Sequence, residues 1–390
     1  MIQKRGEHMK KQLRYGVVGA GLDSFIGNVH RIAADFDRLA VLTAGAFSTN
    51  PEKNQACGTF YSLDSDRVYD DFTEMAKREG AREDGIDFVT IAAPNRVHYA
   101  VAKAFLENGI HVFCEKPLCF EIAEAEELQR LAEEKGLLFG VNYSYSGNIM
   151  VKEARERILR GEIGEVINVN AEYLQEWLID DVGAGEDTMN KLSVWRKDPS
   201  VTGSSNCVGD IGTHIEHTVS YMTGLTVKRV AAKLDYFGQP LDLNANILVE
   251  LSNGAHGVFC SSQVCVGHMN GLVVRIFGTE GAIEWQQENP NVLYVTKKGQ
   301  PTQICHRGMA YVTGRTAELN RLPSGHPEGL YVAFANMYKL WCNAVLKKAN
   351  GEPLEAKDCD FPTVEAGVHG VKFTHACVES SRRDAAWVNL

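Results

Sequence analysis

A chain of 390 residues is long enough for two domains, each burying its own core. With 44% hydrophobic and 23% charged residues, its composition excludes a disordered or fibrous protein. The formal net charge of −10 argues against a nucleic-acid partner, which would require clustered Lys and Arg, and favours a small neutral substrate.

From Leu13 to Val141, short β-rich runs alternate with helical patterns, which predicts a parallel sheet with crossover helices. The runs are Arg14–Val18, Ala40–Phe47, Asp87–Ala92, Ile110–Cys114 and Leu137–Val141. Between the third and fourth, Val97, Val101, Ala104 and Phe105 recur at helical spacing and Gly109 closes the helix. Residues 1–141 are therefore expected to form a doubly wound α/β domain.

The pattern then changes. A helix is predicted over Ile149–Arg160, stopped at Gly161, followed by strands at Ile167–Tyr173, Val227–Tyr236, His256–Val264, Val273–Gly278, Ala282–Gln286 and Val292–Val295. Leu243, Ala245, Ile247, Val249 and Leu251 alternate with Asn244, Asn246, Leu248 and Glu250, the mark of a strand whose two faces differ in burial. Helices follow at Leu330–Lys347 and Val364–Arg382. Residues 142–390 are expected to form an α+β domain with an open, largely antiparallel sheet, and the chain from Val364 to pack back on the first domain. His306–Gly329, rich in Gly, Pro and Thr, has no periodic pattern; loops of that length are often functional, so it is a candidate cover for a site.

No apolar run approaches the roughly 18 residues that cross a bilayer. Met1 to Lys11 is polar and basic with no apolar segment behind it, so a cytoplasmic protein without a membrane partner is expected. The ten cysteines include no C-x-x-C pair, and Cys114, Cys119, Cys260 and Cys265 lie in or beside apolar runs; neither a metal site nor a disulfide is expected.

The first strand runs into Gly19-Ala20-Gly21 and then Leu22-Asp23-Ser24-Phe25-Ile26-Gly27. Glycines there permit a tight turn and let backbone amides, including those near Phe25 and Ile26, approach a pyrophosphate at a helix N-terminus. The usual third glycine falls on Ser24, so the turn reads as three residues longer than the standard fingerprint, with Gly27 left to take the helix-packing role. After the second strand, where an acid usually holds the adenosine ribose, the chain reads Ala46-Phe47-Ser48-Thr49-Asn50 with Lys53 soon after. NAD is the expected cofactor, yet NADP is not excluded, because Ser48, Thr49 and Lys53 can receive a 2′-phosphate.

Two later segments carry chemistry. The third run leads into Ala93-Pro94-Asn95-Arg96-Val97-His98 and the fourth into Glu115-Lys116-Pro117, both at the carboxyl edge of the sheet, where doubly wound folds bind ligands. In Gly203–His214, Asp210 and His214 stand four apart, so a helix would turn both side chains to one side, as an orienting acid and a general base.

Taken in order, Gly-x-Gly, Pro94-Asn95 with His98, Glu115-Lys116-Pro117, Trp195-Arg196 and Asp210-x-x-x-His214 resemble the glucose–fructose oxidoreductase, inositol dehydrogenase and rhizopine catabolism (Gfo/Idh/MocA) family over nearly the whole chain. The resemblance implies a Rossmann domain followed by a substrate domain whose open sheet often builds a homo-oligomer, a dimer or tetramer. It matches Lys116, Asp210 and His214 to the catalytic set, and Asn95, His98, Glu115, Trp195 and Arg196 to positions near the cofactor.

The implied reaction is hydride transfer between a nicotinamide and a secondary hydroxyl of a sugar, glycoside or cyclitol ring. His214 is the candidate base, with Lys116 stabilising the alkoxide and Asp210 orienting one of them; Lys116 as the base is the alternative. Tyr143, Tyr145, Trp177, His217 and His326 are candidate ring contacts, Tyr143 and Tyr145 foremost because they follow the last Rossmann strand. Two other readings share the fold: a glycosidase or lyase that recycles bound NAD internally, and a non-catalytic sugar sensor, against which the intact Lys116, Asp210 and His214 argue.

Overall fold

Strand β1 (Leu13–Gly19) is apolar along most of its length because both its faces are covered. It lies inside a five-stranded parallel sheet of order β2-β1-β3-β4-β5, with β2 at Ala40–Ala46, β3 at Phe88–Ala92, β4 at His111–Cys114 and β5 at Phe139–Val141. Helices α1 (Phe25–Asp35), α2 (Pro51–Phe60), α3 (Phe72–Ala81), α4 (His98–Glu107) and α5 (Ile122–Lys135) make the crossovers. The chain steps outward from β1 to β2 and returns to the other side for β3, so a crevice opens at the carboxyl ends of β1 and β3. Local chemistry sets the helix starts: Ser24, Asn50 and Asp71 each cap the following helix through a side-chain oxygen. The computed structural model describes residues 12–183, 198–312 and 314–390.

Helix α6 (Ile149–Leu159) leads into a nine-stranded sheet of order β13-β12-β11-β10-β6-β9-β8-β7-β14. Its strands are β6 (Val166–Leu174), β7 (Val227–Asp235), β8 (Asn244–Leu251), β9 (His256–Ser262), β10 (Gly271–Gly278), β11 (Gly281–Gln286), β12 (Val292–Lys297), β13 (Gln303–His306) and β14 (Val388–Asn389). Among the described residues of this sheet only β6 and β9 pair in parallel, so it is open and largely antiparallel, as expected. The alternation in β8 is realised, with Ala245, Ile247, Val249 and Leu251 buried while Asn246 and Leu248 are exposed. The remaining helices are α7 (Pro199–Thr202), α8 (Thr213–Thr223), α9 (Gly314–Glu318), α10 (Leu330–Ala349) and α11 (Val364–Arg382).

The two sheets share helices. Trp341 and Tyr338 of α10 pack on Phe88 and Phe113 of the parallel sheet. Helix α11 sets Phe373 against Phe259 of β9, while its Val364, Val368 and Val371 join a core with Leu118, Leu128 and Val141. The other face of the nine-stranded sheet exposes Ile167, Leu248 and Val258.

The segment His306–Gly329 does not cover the crevice. Buried Arg307 gathers it by donating to the carbonyls of Leu322, Pro323 and His326, and pairs with Glu328 at 3.1 Å. Arg321 then reaches Asp37 beyond α1 with two bonds of 2.7 Å, so the segment ties the second sheet's edge to the first domain. Among the described residues no helix is long and apolar enough to cross a membrane, and no cluster of His, Cys, Asp or Glu could hold a metal ion.

Candidate active site

Two adjoining cavities run along the carboxyl edge of the parallel sheet and share Ser24, Ala92 and Pro94. The first, about 390 Å³, has Gly19, Gly21, Asp23, Phe47, Ser48 and Lys53 in its wall. The second, about 680 Å³, has Phe25, Ile26, Asn95, Glu115, Lys116 and Asp210.

The glycine turn is shaped by close approach. Gly19 has φ +82°, and a Cβ there would stand 2.4 Å from the carbonyl oxygen of Ala92 on β3. The turn is not lengthened in space. Ser24 stands where the third glycine was expected and caps α1, its Oγ accepting from Gly27 N at 3.1 Å, so the helix begins at Phe25 and the extra residues are helical. Gly27 takes the packing role, since a Cβ there would meet Ala20 Cβ at 2.4 Å. A bare turn ending on a helix N-terminus that lines the cavity fits a pyrophosphate. At the end of β2, Asn50 accepts from Lys53 N and Ser48 Oγ from Asn50 N, so this corner holds its shape without an acid. A carboxylate does reach the first cavity from the glycine turn: Asp23 Oδ2 lies 3.4 Å from Lys53 Nζ, both exposed. Nothing in the order of residues announces that pairing.

The lysine is delivered by β4, whose end is held on both sides. Glu115 N bonds Ile91 O at 2.9 Å and Asn142 N bonds Cys114 O at 2.8 Å. The buried Glu115 side chain accepts from Asn142 Nδ2 and from Lys116 N, and lies 2.7 Å from His30 Nε2 of α1. His30 Nδ1 in turn meets Tyr338 OH at 2.8 Å, and Tyr338 OH meets Thr90 Oγ1 at 3.0 Å. Burial opposes the charged form of Glu115, but the bond and charge of His30, the Lys116 charge and the Asn142 bond outweigh it and hold its carboxyl at about 2. His98, fully buried, lies 2.8 Å from Pro117 O and 2.9 Å from Ala93 O, stapling together the loops that follow β3 and β4; burial lowers its pKa.

Asp210 lies in a π-turn, Val208–Gly212, that feeds directly into α8. Such widened turns recur at functional sites. Lys116 Nζ donates to both Asp210 Oδ1 and the Asp210 carbonyl, each at 2.8 Å, while Gln263 Nε2 donates to Oδ2 at 3.0 Å. His214 is buried with its Nδ1 unpaired among the described residues, against the rings of Tyr145 at 4.8 Å and Tyr143 at 5.8 Å. Burial first, and the Lys116 charge second, hold its pKa well below that of an ordinary imidazole, so it is neutral near pH 7. Asp210 thus engages Lys116, and its two oxygens are met by Lys116 and Gln263.

The candidate ring contacts separate. Tyr145 OH lies 2.5 Å from Tyr173 OH, which donates to Asn270 Oδ1; Gln175 Nε2 reaches the same oxygen at 2.9 Å, and Trp177 donates to Gln175. Tyr173, Asn270 and Gln175 were not anticipated; each is an ordinary strand-end residue in the sequence. Tyr143 and His217 instead stack on each other, centroids 4.5 Å apart and 8° between planes, behind His214; like Tyr145 and His214 themselves, they line neither cavity. Burial brings His217 down to about 4. His326 is exposed on the Arg307 segment and lines neither cavity, because that segment is held by Asn291, just before β12, and by Asn336 of α10 instead. Trp195 and Arg196 lie outside the described residues.

A family model described as an oxidoreductase family with an NAD-binding Rossmann fold matches residues 13–143, and the GFO/IDH/MocA C-terminal domain model matches residues 151–284. An uncharacterized oxidoreductase, YfiI, of Bacillus subtilis is 36% identical over 391 residues, covering 98% of each chain. Levoglucosan dehydrogenase of Pseudarthrobacter phenanthrenivorans is 26% identical over 310 residues, 73% of this chain and 76% of that one. Among solved structures, an inositol dehydrogenase homolog from Azotobacter vinelandii, complexed with NADH and myo-inositol, superposes with a TM-score of 0.88 at 34% identity, covering 97% of this chain and 98% of that one.

Proposed function

Because the chain belongs to the GFO/IDH/MocA oxidoreductase family, we propose that it is an NAD-dependent dehydrogenase acting on a secondary hydroxyl of a polyhydroxylated ring, a cyclitol or a sugar. The observation that carries this reading is the placement of Lys116, at the carboxyl edge of β4 in the wall of the cavity that adjoins the glycine turn, with Nζ 2.8 Å from Asp210. NAD is supported by the family description and by the A. vinelandii neighbour, crystallised with NAD+ and with NADH. The substrate class is supported by the myo-inositol in that neighbour and the levoglucosan activity of the curated relative.

A bound nicotinamide would supply the hydride acceptor; the protein must place the carbon and take the hydroxyl proton. Lys116 donates to the substrate oxygen and stabilises the charge that develops there. Asp210 orients Lys116, since its carboxylate oxygens are met by Lys116 and Gln263. His214, neutral near pH 7 and packed against the Tyr145 ring, takes the proton. The exposed apolar residues Leu248 and Val258, directly paired across β8 and β9, form the face through which the chain assembles with its own copies.

The test is a screen of cyclitols, sugars and glycosides with NAD and NADP, following reduced-nicotinamide absorbance. We expect net reduction of NAD by at least one ring alcohol, and its loss in Lys116→Ala and His214→Ala variants that keep their folded spectra. Wild-type rates in both variants would refute the assigned roles. Substrate consumption without net absorbance change would instead mark internal recycling of the cofactor, and failure to bind any nicotinamide would remove the reading altogether.

A further inference from the structure

Behind Asp210 stands a buried chain of polar groups. Gln263, just past the end of β9, has no exposed surface; its Nε2 donates to Asp210 Oδ2 at 3.0 Å and its Oε1 accepts from Asn206 Nδ2 at 2.6 Å. Asn206 is anchored on Asp242, its backbone N donating to Oδ1 at 2.9 Å. Asp242 Oδ2 takes Val208 N at 3.0 Å and Ser205 Oγ at 3.1 Å, so one buried carboxylate organises the start of the π-turn. Both amides have a forced orientation. A carboxylate only accepts, so Gln263 must turn its NH2 to Asp210 and its oxygen to Asn206, which must then present its own NH2.

We propose that Gln263, held by Asn206 and Asp242, is a positioning residue that fixes the Asp210 carboxylate in the orientation that holds Lys116 Nζ at the reacting hydroxyl. The proposal rests on the reading of Lys116 and Asp210 as the proton-handling centre. Without Gln263 the part-buried carboxylate loses a donor on Oδ2, and its hold on Lys116 loosens. Hydrogen bonds to charged groups of this kind correspond to about 10- to 100-fold in a rate or equilibrium constant. Neither Gln263 nor Asn206 lines either cavity, so nicotinamide affinity is expected to stay unchanged.

The experiment compares Gln263→Leu and the near-isosteric Gln263→Glu in the full chain, with a readout that needs no substrate: amine-directed labelling of Lys116 across pH, followed by mass spectrometry. In Gln263→Leu we expect faster labelling of Lys116, kcat lower by about 10- to 100-fold and unchanged nicotinamide binding. Gln263→Glu sets a second carboxylate beside Asp210, with Lys116, His214, Tyr145, Tyr173, Cys207 and Asp242 the other titratable groups nearby. Labelling should then move to higher pH, and the acid limb of the kcat/KM profile should rise as the two carboxylates share a proton. Adding Asn206→Ala to Gln263→Leu should cost nothing further, because Asn206 acts through Gln263. Wild-type labelling and kcat in both Gln263 variants, or full additivity in the double variant, would overturn the proposal. If Gln263→Leu does not fold, the Gln263→Glu profile decides. Altered labelling in a protein that never turns over a ring alcohol would leave the relay standing and remove the dehydrogenase reading.

Discussion

Replacing Glu115 by Gln keeps the shape of the group next to Lys116 and removes its charge. The carboxyl sits at about 2 in the folded protein against an ordinary 4.5, although burial alone would push it the other way. At about 1.4 kcal/mol per tenfold, that gap is about 3 kcal/mol of stability carried by the ionised form at neutral pH. The figure agrees with the range of about 3–5 kcal/mol for breaking a buried pair by removing one partner. Because the folded pKa is depressed, the contribution is complete above 4.5 and is lost as pH falls towards 2. Urea unfolding of wild type and Glu115→Gln at several pH values is the assay. A gap of about 3 kcal/mol that is constant from pH 8 to 5.5 and narrows below 4.5 is expected. A gap under about 0.5 kcal/mol at pH 7, the size of an ordinary surface substitution, would refute the reasoning, as would a gap that widens in acid.

His217 loses stability in the same direction as Glu115, as pH falls, but over a higher window. Its folded pKa of about 4 lies below the ordinary 6.5, so the unfolded chain takes up its proton first and stability is lost as pH falls from 6.5 towards 4. His217→Gln should flatten the acid slope of stability in that window by up to about 1.4 kcal/mol per pH unit, the other buried histidines keeping their share; an unchanged slope would count against a neutral buried imidazole. For the assembly face, light scattering should find the wild type at a multiple of its 43.1 kDa chain mass, and Leu248→Asp with Val258→Asp should shift it towards one copy. A wild type that runs as a single chain would end that proposal.

Much of the fold could be read because burial writes itself as a period. The even residues of β8 point to solvent and the odd ones to the core, and that difference is visible as Asn244-Ala245-Asn246-Ile247. Lys116 was visible because two charged residues, Glu115 and Lys116, directly follow the apolar run Val112–Cys114. What escaped notice had no period to carry it. Strands β13 and β14 span four and two residues, too short for alternation to register. Arg307 turned a polar segment away from the crevice through bonds to carbonyls, which every sequence contains alike. Asp242 and Gln263 sit at strand ends, where a polar residue is ordinary; only the fold shows that both are fully buried and aimed at the Asp210 turn.

Lys116 is where two separately built halves meet. On one side, Glu115 ties its backbone to His30 of the helix that opens the glycine turn, and through Tyr338 to α10. On the other, its Nζ crosses 94 residues of sequence to Asp210, whose second oxygen is held from the nine-stranded sheet. The first set fixes where the strand end stands relative to the nucleotide groove; the second fixes where the ammonium points. Disturbing the Glu115 side should therefore change stability and nicotinamide affinity together, whereas disturbing the Gln263 side should change proton transfer and leave the nucleotide groove intact. If the two sides were one undivided packing unit, substitutions on either would shift both properties in proportion, and the contrast between Glu115→Gln and Gln263→Leu separates those cases directly.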